Sequence, residues 1–301
     1  MKKILSVFLA VSLILTISAC GSQPKPQAHF AVKDSRGIEV SFDKAPEKIV
    51  SLMPSNTEIL YALGCGDKII AVSDYCNYPE DTANKQKLPA GEKLNVEAII
   101  ALNPDAAIIG SMTAMEDQVN QLEQAGVKVI ITEANSLAET YEVIEMIGTI
   151  TEKEKEAAFL VKNMKGGFDK IKKEAEGKDP PKVYVEVSPL EYGLWSCGRN
   201  TFIQELIDIV GAKNIFDDVE GWAAVSEEQV LTRNPDVIIT TSSPLTGIED
   251  PAGEISSRAN WSKIDAIKNG RVVMLDSDMI SRPGPRLLDA ANELVKAIYS
   301  K

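Results

Sequence analysis

The sequence predicts an α/β protein with two similar Rossmann-like lobes, each built on a central parallel sheet, joined by a single long α-helix with a cleft between the lobes. Three features lead to this prediction: the size of the chain, a repeated helix–strand unit, and a long amphipathic segment between the two copies. The chain has 301 residues, of which 44% are hydrophobic and 25% charged. This is enough to bury the cores of two globular domains, and it excludes a disordered tail or a disulfide-stapled miniprotein.

A segment of the first half of the chain recurs 131 residues downstream without a gap, residues 95–111 aligning with 226–242. Each copy starts with a short apolar helical pattern that ends at an Asn-Pro pair, Asn103-Pro104 or Asn234-Pro235. Proline disfavours the helical conformation of the residue before it, so each helix should stop there and lead into the apolar strand that follows. A helix followed by a buried strand is half of a parallel α/β unit, which predicts one such sheet in each lobe.

Each repeat is preceded by another apolar strand pattern, at 49–52 in the first half and at 183–187 in the second. After the first of these strands, Ser55-x-x-Glu58 matches a capping box, in which the two side chains bond the backbone at the start of a helix. Glu58 is therefore expected to cap its own helix. In parallel sheets, the loops that follow such strands are the places to look for a binding site.

The segment at 151–179 predicts the connecting helix between an N-terminal lobe at 30–150 and a C-terminal lobe at 180–301. Its length would be on the order of 40 Å, and Gly166-Gly167 predicts a kink or a break near its middle. A single rigid connection also leads us to expect little domain closure. Apolar residues recur along it in steps of three and four, forming one stripe: Ala157, Val161, Met164, Phe168, Ile171 and Ala175.

The N-terminus is typical of an exported lipoprotein. Two lysines precede an uncharged run at 4–17, which is too short to span a bilayer but suits a signal peptide at 1–19. Residues 15–20 resemble a bacterial lipobox, which implies that Cys20 is acylated and anchors the body to the membrane through a polar tether at 20–29. The alternative is an ordinary secretory peptide that contains a cysteine by chance.

Composition excludes several kinds of function. The formal net charge of −12 opposes binding to nucleic acid or to anionic lipid. His29 is the only histidine and lies in the tether, so a His-rich metal site or a catalytic triad cannot be built in the body, and no nucleotide-binding loop is present. Cys65 and Cys76 could form a disulfide or, like Cys197, remain buried thiols. The sequence thus predicts a binding protein with no resident cofactor or metal.

Five stretches together resemble the iron- and cobalamin-type, long-helix (class III) substrate-binding proteins of ABC importers, most closely the cobalamin-binding members. The similarity runs from about residue 30 to the C-terminus. It implies a monomeric exported body that captures a corrinoid between its lobes and delivers it to a permease dimer driven by a cytoplasmic ATPase. The alternatives are a ferric siderophore or haem carrier of the same family and, from another class, an exported enzyme on a two-lobed α/β fold. The stretches are 48–64, 73–79, 95–99, 221–239 and 278–287.

The resemblance also implies which residues contact the ligand. Tyr75, Trp195 and Trp222 match aromatic positions that pack on the corrinoid, which suits a large, flat, partly apolar molecule. Asp278 and Arg282 match polar positions near the ligand, where the arginine could bind an amide, a phosphate or an anionic chelate. Each aromatic could instead pack within its own lobe, and Arg282 could be a surface residue on a Pro-Gly turn.

Glu97 and Glu228 are implied to dock on arginines of the permease. They occupy equivalent places in the repeat, one per lobe, so they should project from the same face of a pseudo-symmetric body. One carboxylate on each lobe suits a dimeric target, since each lobe then meets one subunit. The alternative is two solvated glutamates. The chain departs from a cobalamin-binding relative at Gly91, where that relative has tryptophan, so one stacking surface is absent.

Overall fold

The N-terminal 29 residues, with the predicted signal peptide, Cys20 and the tether, lie outside the part of the chain that the structure describes, and so does Gly91. A computed structural model describes residues 30–90, 93–241 and 247–299. No helix in these ranges is long and apolar enough to cross a membrane.

The N-terminal lobe is built on a five-stranded sheet in the order β5-β4-β3-β6-β7, with every pairing parallel. The central strands are buried on both faces, as expected where helices cover a parallel sheet on each side. An antiparallel hairpin of β1 (Phe30–Lys33) and β2 (Glu39–Phe42) precedes it. The sheet strands are β3 (Ile49–Ser51), β4 (Ile69–Ser73), β5 (Gln86–Leu88), β6 (Ala106–Gly110) and β7 (Lys128–Thr132). The helices of this lobe are α1 (Pro54–Ala62), α2 (Val96–Ala101), α3 (Glu116–Gln124) and α4 (Leu137–Ile150).

The C-terminal lobe has a parallel sheet in the order β10-β8-β12-β13 and a separate antiparallel ribbon of two short strands. Two parallel sheets, one in each lobe, confirm the predicted fold class. The strands are β8 (Lys182–Glu186), β9 (Trp195–Cys197), β10 (Lys213–Asn214), β11 (Trp222–Ala224), β12 (Val237–Thr240) and β13 (Val272–Met274), with β9 and β11 forming the ribbon. The helices are α6 (Phe202–Ile209), α7 (Glu227–Arg233), α8 (Pro251–Ser257), α9 (Asp265–Lys268), α10 (Ser277–Ile280) and α11 (Leu287–Tyr299).

The repeat in the sequence corresponds to a repeat in local structure. Asn103 and Asn234 both adopt left-handed backbone, with φ of 49° and 48°, which ends the helix before each Asn-Pro pair. The aspartate two residues later, Asp105 or Asp236, then accepts a backbone N–H at the start of the neighbouring strand: Lys48 at 2.9 Å and Lys182 at 2.7 Å. The same residue types therefore make the same turn and the same interstrand bond in both lobes.

The connecting helix α5 (Glu154–Ala175) has 22 residues, or about 33 Å at 1.5 Å per residue. The predicted kink is wrong, because the helix passes through Gly166-Gly167 without a break. The second glycine is needed for packing rather than for bending. A Cβ on Gly167 would lie 2.6 Å from Leu288 Cδ1 of α11, so the absence of a side chain lets the two helices approach closely.

The lobes share a layer of hydrophobic core. One buried cluster contains residues of both sheets together with the apolar stripe of α5, while separate clusters cover the outer faces of the two sheets. Cys65, Cys76 and Cys197 are buried free thiols, so the alternative without a disulfide is the one observed. Burial raises the pKa of the Cys197 thiol to about 12, which makes it a poor nucleophile.

Candidate ligand-binding site

A cavity of about 390 Å³ lies between the two lobes. Its N-terminal wall comes from the loops after β3, β6 and β7, because the carboxyl ends of parallel strands meet at one edge of a sheet. Its C-terminal wall comes from α6, the β11 strand and the turn after α10. The lining residues are Met53, Ser55, Asn56, Gly110, Ser111, Met112, Thr132, Glu133, Ala134, Asn135, Val143, Phe202, Trp222, Ser281 and Pro283.

The C-terminal wall is aromatic. Trp222 lines the cavity, remains 38% exposed and meets Phe202 edge to face, with ring centroids 5.8 Å apart. Trp195 is not a lining residue, but β9 pairs with β11 so that Trp195 opposes Ala224 and Cys197 opposes Trp222. Residues opposite one another share a face of a ribbon, so Trp195 and Trp222 lie diagonally on one face. The ribbon thus carries a second exposed indole on the face that includes Trp222.

The N-terminal wall contains two thioethers and, among the described lining residues, no aromatic ring. Met53 lines the cavity after β3, and Met112, 92% exposed, lines it after β6. Gly110 makes room for this arrangement, since a Cβ there would lie 2.9 Å from the Met53 sulfur. Methionine is flexible and polarizable, so this wall can adapt to the face of an apolar ring. Sequence reasoning missed both methionines, although their position after buried strands was an available signal.

Asn56 and Thr132 form the polar floor of the cavity. Asn56 is 1% exposed and donates from Nδ2 to Thr132 Oγ1 at 2.8 Å, while the threonine hydroxyl donates to the Ile109 carbonyl at 3.3 Å. Because the hydroxyl proton is used in that bond, the amide must present its nitrogen to Thr132. This pair connects α1 to the end of β7 and fixes the shape of the N-terminal wall.

Arg282 and Asp278 do not line the cavity in this structure. Arg282 is 9% exposed and contacts other parts of the chain: its Nη1 donates to Glu58 Oε1 at 2.9 Å and to Asn77 Oδ1 at 2.8 Å. Its Nη2 donates to the Tyr75 carbonyl at 3.3 Å and pairs with Asp278 Oδ1 at 2.7 Å. The predicted ligand arginine thus joins the lobes. Its neighbours Ser281 and Pro283 reach the cavity, so Arg282 positions that wall.

Glu58 is the centre of this contact between the lobes. It is 3% exposed on α1 and also accepts two bonds from Arg286, from Nε at 2.8 Å and from Nη2 at 2.7 Å. The predicted capping box is wrong, because the N-cap of α1 is Met53 and no side chain caps this helix. The first helical residue, Pro54, has no backbone N–H that would need an acceptor. The Glu58–Arg282–Arg286 cluster, which we call the clasp, was missed because Glu58 is more than 200 residues away from both arginines in the sequence.

The Tyr75 side chain is 53% exposed and lies outside the cavity lining. Its carbonyl bonds Arg282, and Asn77 two residues later donates to Asp278 Oδ2 at 2.6 Å. The loop that carries Tyr75 is therefore fixed to the turn that forms part of the cavity wall. The aromatic ring itself is exposed and does not line the cavity.

Glu97 and Glu228 are exposed and occupy the second residue of α2 and of α7. The N-caps before them match as well, since Asn95 and Ser226 each accept a bond from the backbone N–H three residues on. Each helix leads through a short turn into a strand, β6 or β12, so its N-terminus lies toward the carboxyl edge of the sheet. This is also the edge that forms the cavity.

Comparisons with known proteins agree with this architecture. The family model described as periplasmic binding protein matches residues 49–279. The "Uncharacterized ABC transporter substrate-binding lipoprotein YvrC" of Bacillus subtilis strain 168 is 37% identical over 316 aligned residues, which cover 99% of this chain and 98% of the relative.

Two solved structures are similar over most of the chain. The crystal structure of a possible iron-binding (periplasmic solute-binding) protein from Staphylococcus epidermidis is 37% identical, with a TM-score of 0.72 and coverage of 85% of this chain and 100% of that one. The vitamin B12-binding protein BtuF of Vibrio cholerae is 27% identical, with a TM-score of 0.69 and coverage of 84% and 96%.

The chain therefore belongs to the periplasmic binding protein family. It is a substrate-binding protein and not an enzyme. Among residues 30–90, 93–241 and 247–299, no three His, Cys, Asp or Glu side chains are grouped so that they could hold a metal ion.

Proposed function

We propose that this protein is the extracytoplasmic binding protein of an ABC importer and that it captures a corrinoid in the cavity between its lobes. The observation that carries the proposal is the pair of facing walls, one of aromatic rings around Trp222 and one of thioethers around Met53 and Met112. Such walls suit a flat, partly apolar macrocycle, because each aromatic ring can bury about 150–250 Å² at little cost in side-chain entropy. The B12-binding relative of known structure supports the same class of ligand.

The three predicted aromatic contacts have different parts in this proposal. Trp222 contacts the macrocycle within the cavity, while Trp195 and Tyr75 cover the portion that extends beyond it. A cavity of about 390 Å³ lies at the small end of the range for ligand pockets, so part of a corrinoid would remain outside. The exposure of both rings, one on each lobe, supports this part of the proposal.

We propose that the protein delivers its ligand by docking on a permease dimer, with Glu97 and Glu228 contacting cationic side chains of the permease. A cytoplasmic ATPase supplies the energy for transport. Both carboxylates are exposed, occupy equivalent positions on the two lobes, and lie toward the sheet edges that form the cavity. Docking through them would bring the mouth of the cleft to the permease. Acylated Cys20 would keep the protein at the membrane surface, where docking takes place.

Uptake of corrinoid by cells tests this function. A strain that lacks the chain should lose high-affinity uptake and regain it with the wild-type gene. Glu97→Ala combined with Glu228→Ala should restore uptake at least about tenfold less well, because two charge-assisted contacts with the permease are lost. Corrinoid affinity of the purified double variant should stay within about twofold of wild type.

The matched control removes two other carboxylates, the exposed Glu145 in one lobe and the partly exposed Glu293 in the other, through Glu145→Ala with Glu293→Ala. This variant should support uptake at the wild-type rate. Equal uptake by the Glu97/Glu228 variant would rule out the docking role, and unchanged corrinoid uptake in the strain without the chain would rule out the importer assignment.

A further inference from the structure

Among the described residues that line the cavity, Glu133 is the only one with a charged side chain. The others are apolar or neutral polar, with hydroxyls from serine and threonine and amides from Asn56 and Asn135. The described part of the cavity lining thus offers neutral hydrogen-bonding groups and one carboxylate.

The two arginines beside the cavity are already neutralised within the protein. Arg282 lies 2.9 Å from Glu58 and 2.7 Å from Asp278, and Arg286 lies 2.7 Å from Glu58. Two cations therefore face two carboxylates at ion-pair distance. An anionic ligand could use Arg282 only by competing with these internal carboxylates, and displacing Glu58 would leave a carboxylate that is 2% exposed without one of its partners.

Glu133 is held in position at the end of β7. Its backbone N–H donates to Ser35 Oγ at 2.9 Å, and its Oε1 accepts from Asn135 Nδ2 at 3.2 Å. The residue is exposed in the free protein, but a ligand seated in the cavity would cover it and reduce its contact with water. Covering a carboxylate strengthens its attraction for a cation and its repulsion of an anion.

We infer that the cavity selects neutral or cationic macrocycles over anionic ones, and that Glu133 is a residue that determines this specificity. The inference rests on the proposed function, since it concerns the same cavity. A corrinoid with amide side chains meets the neutral hydroxyls and amides, whereas haem, with two carboxylates, and anionic ferric chelates meet Glu133 and no cationic side chain among the described lining residues. The formal net charge of −12 acts in the same direction at longer range.

Titration of the purified full-length chain with three probes of different charge tests this inference: neutral cyanocobalamin, cationic aquacyanocobinamide and anionic haemin. Wild type should bind both corrinoids more tightly than haemin. Measured relative to its effect on neutral cyanocobalamin, Glu133→Lys should weaken binding of aquacyanocobinamide about tenfold and strengthen binding of haemin by a similar factor. Glu133→Gln should change the affinities for the two charged probes in the same directions but by smaller factors. The control is Glu145→Lys, an exposed reversal on α4 outside the cavity lining.

The outcomes separate this inference from the proposed function. If Glu133→Lys alters the affinities for the charged probes no more than Glu145→Lys does, the role of Glu133 is wrong while corrinoid capture stands. If wild type binds haemin more tightly than either corrinoid, charge selection and corrinoid capture are both wrong. If wild type binds neither corrinoid, the proposed function is wrong.

Discussion

Trp222→Ala should lower corrinoid affinity at least about 30-fold without unfolding the protein. The indole forms the aromatic wall of the cavity, and its removal also leaves Phe202 without its edge-to-face partner. A stacked aromatic at the centre of a binding surface typically contributes about 2 kcal/mol or more, and each 1.4 kcal/mol is about a factor of ten in affinity. Because the ring is 38% exposed in the free protein, its loss should cost little folding free energy.

Isothermal calorimetry is the appropriate measurement, since it does not depend on tryptophan fluorescence, which this substitution itself changes. Phe159→Ala is the matched control, because Phe159 is 66% exposed on α5 and does not line the cavity. Its corrinoid affinity should equal that of wild type. An affinity of the Trp222 variant within threefold of wild type would place the ligand elsewhere.

Glu58→Gln should lower the free energy of unfolding by about 3–5 kcal/mol. Glu58 is 3% exposed and accepts three N–H groups from Arg282 and Arg286, so the neutral amide leaves two guanidinium groups close together with one carboxylate fewer. A loss of this size is a large fraction of the 5–15 kcal/mol typical of folded proteins. Since the clasp joins α1 to the turn that carries Ser281 and Pro283, corrinoid affinity should fall as well.

Urea unfolding of the full-length chain measures this change. The control is Glu293→Gln, which breaks an exposed pair with Lys296 at 2.6 Å and should change stability by no more than about 0.5 kcal/mol. If Glu58→Gln costs no more than the control, the clasp does not stabilise the contact between the lobes.

Most of the architecture could be predicted because it follows from short-range patterns. The repeat around Asn103-Pro104 and Asn234-Pro235 predicted one parallel sheet in each lobe, and the apolar stripe of α5 predicted the helix that connects the lobes. The prediction of a kink was wrong because glycine propensity describes an isolated helix. In the folded protein, the close approach of Leu288 of α11 requires a glycine at position 167.

The site could be predicted only in part, because its walls join residues that are distant in sequence. Trp222 does line the cavity, but Arg282 is occupied by Glu58 of the other lobe, and no local pattern indicates that contact. Met53, Met112 and Glu133 follow buried strands, which indicates the sheet edge but not which side chains face the cleft. Identifying these three side chains as lining residues required the three-dimensional arrangement of both lobes.

The most direct test of corrinoid capture is a titration of the purified full-length chain with cyanocobalamin, compared with a ferric hydroxamate siderophore, which is an iron chelate free of the carboxylates of haem. We expect saturable one-to-one binding of cyanocobalamin with a dissociation constant at or below the micromolar range and at least about a hundredfold weaker binding of the chelate. Tight binding of the chelate with no response to cyanocobalamin would contradict the account.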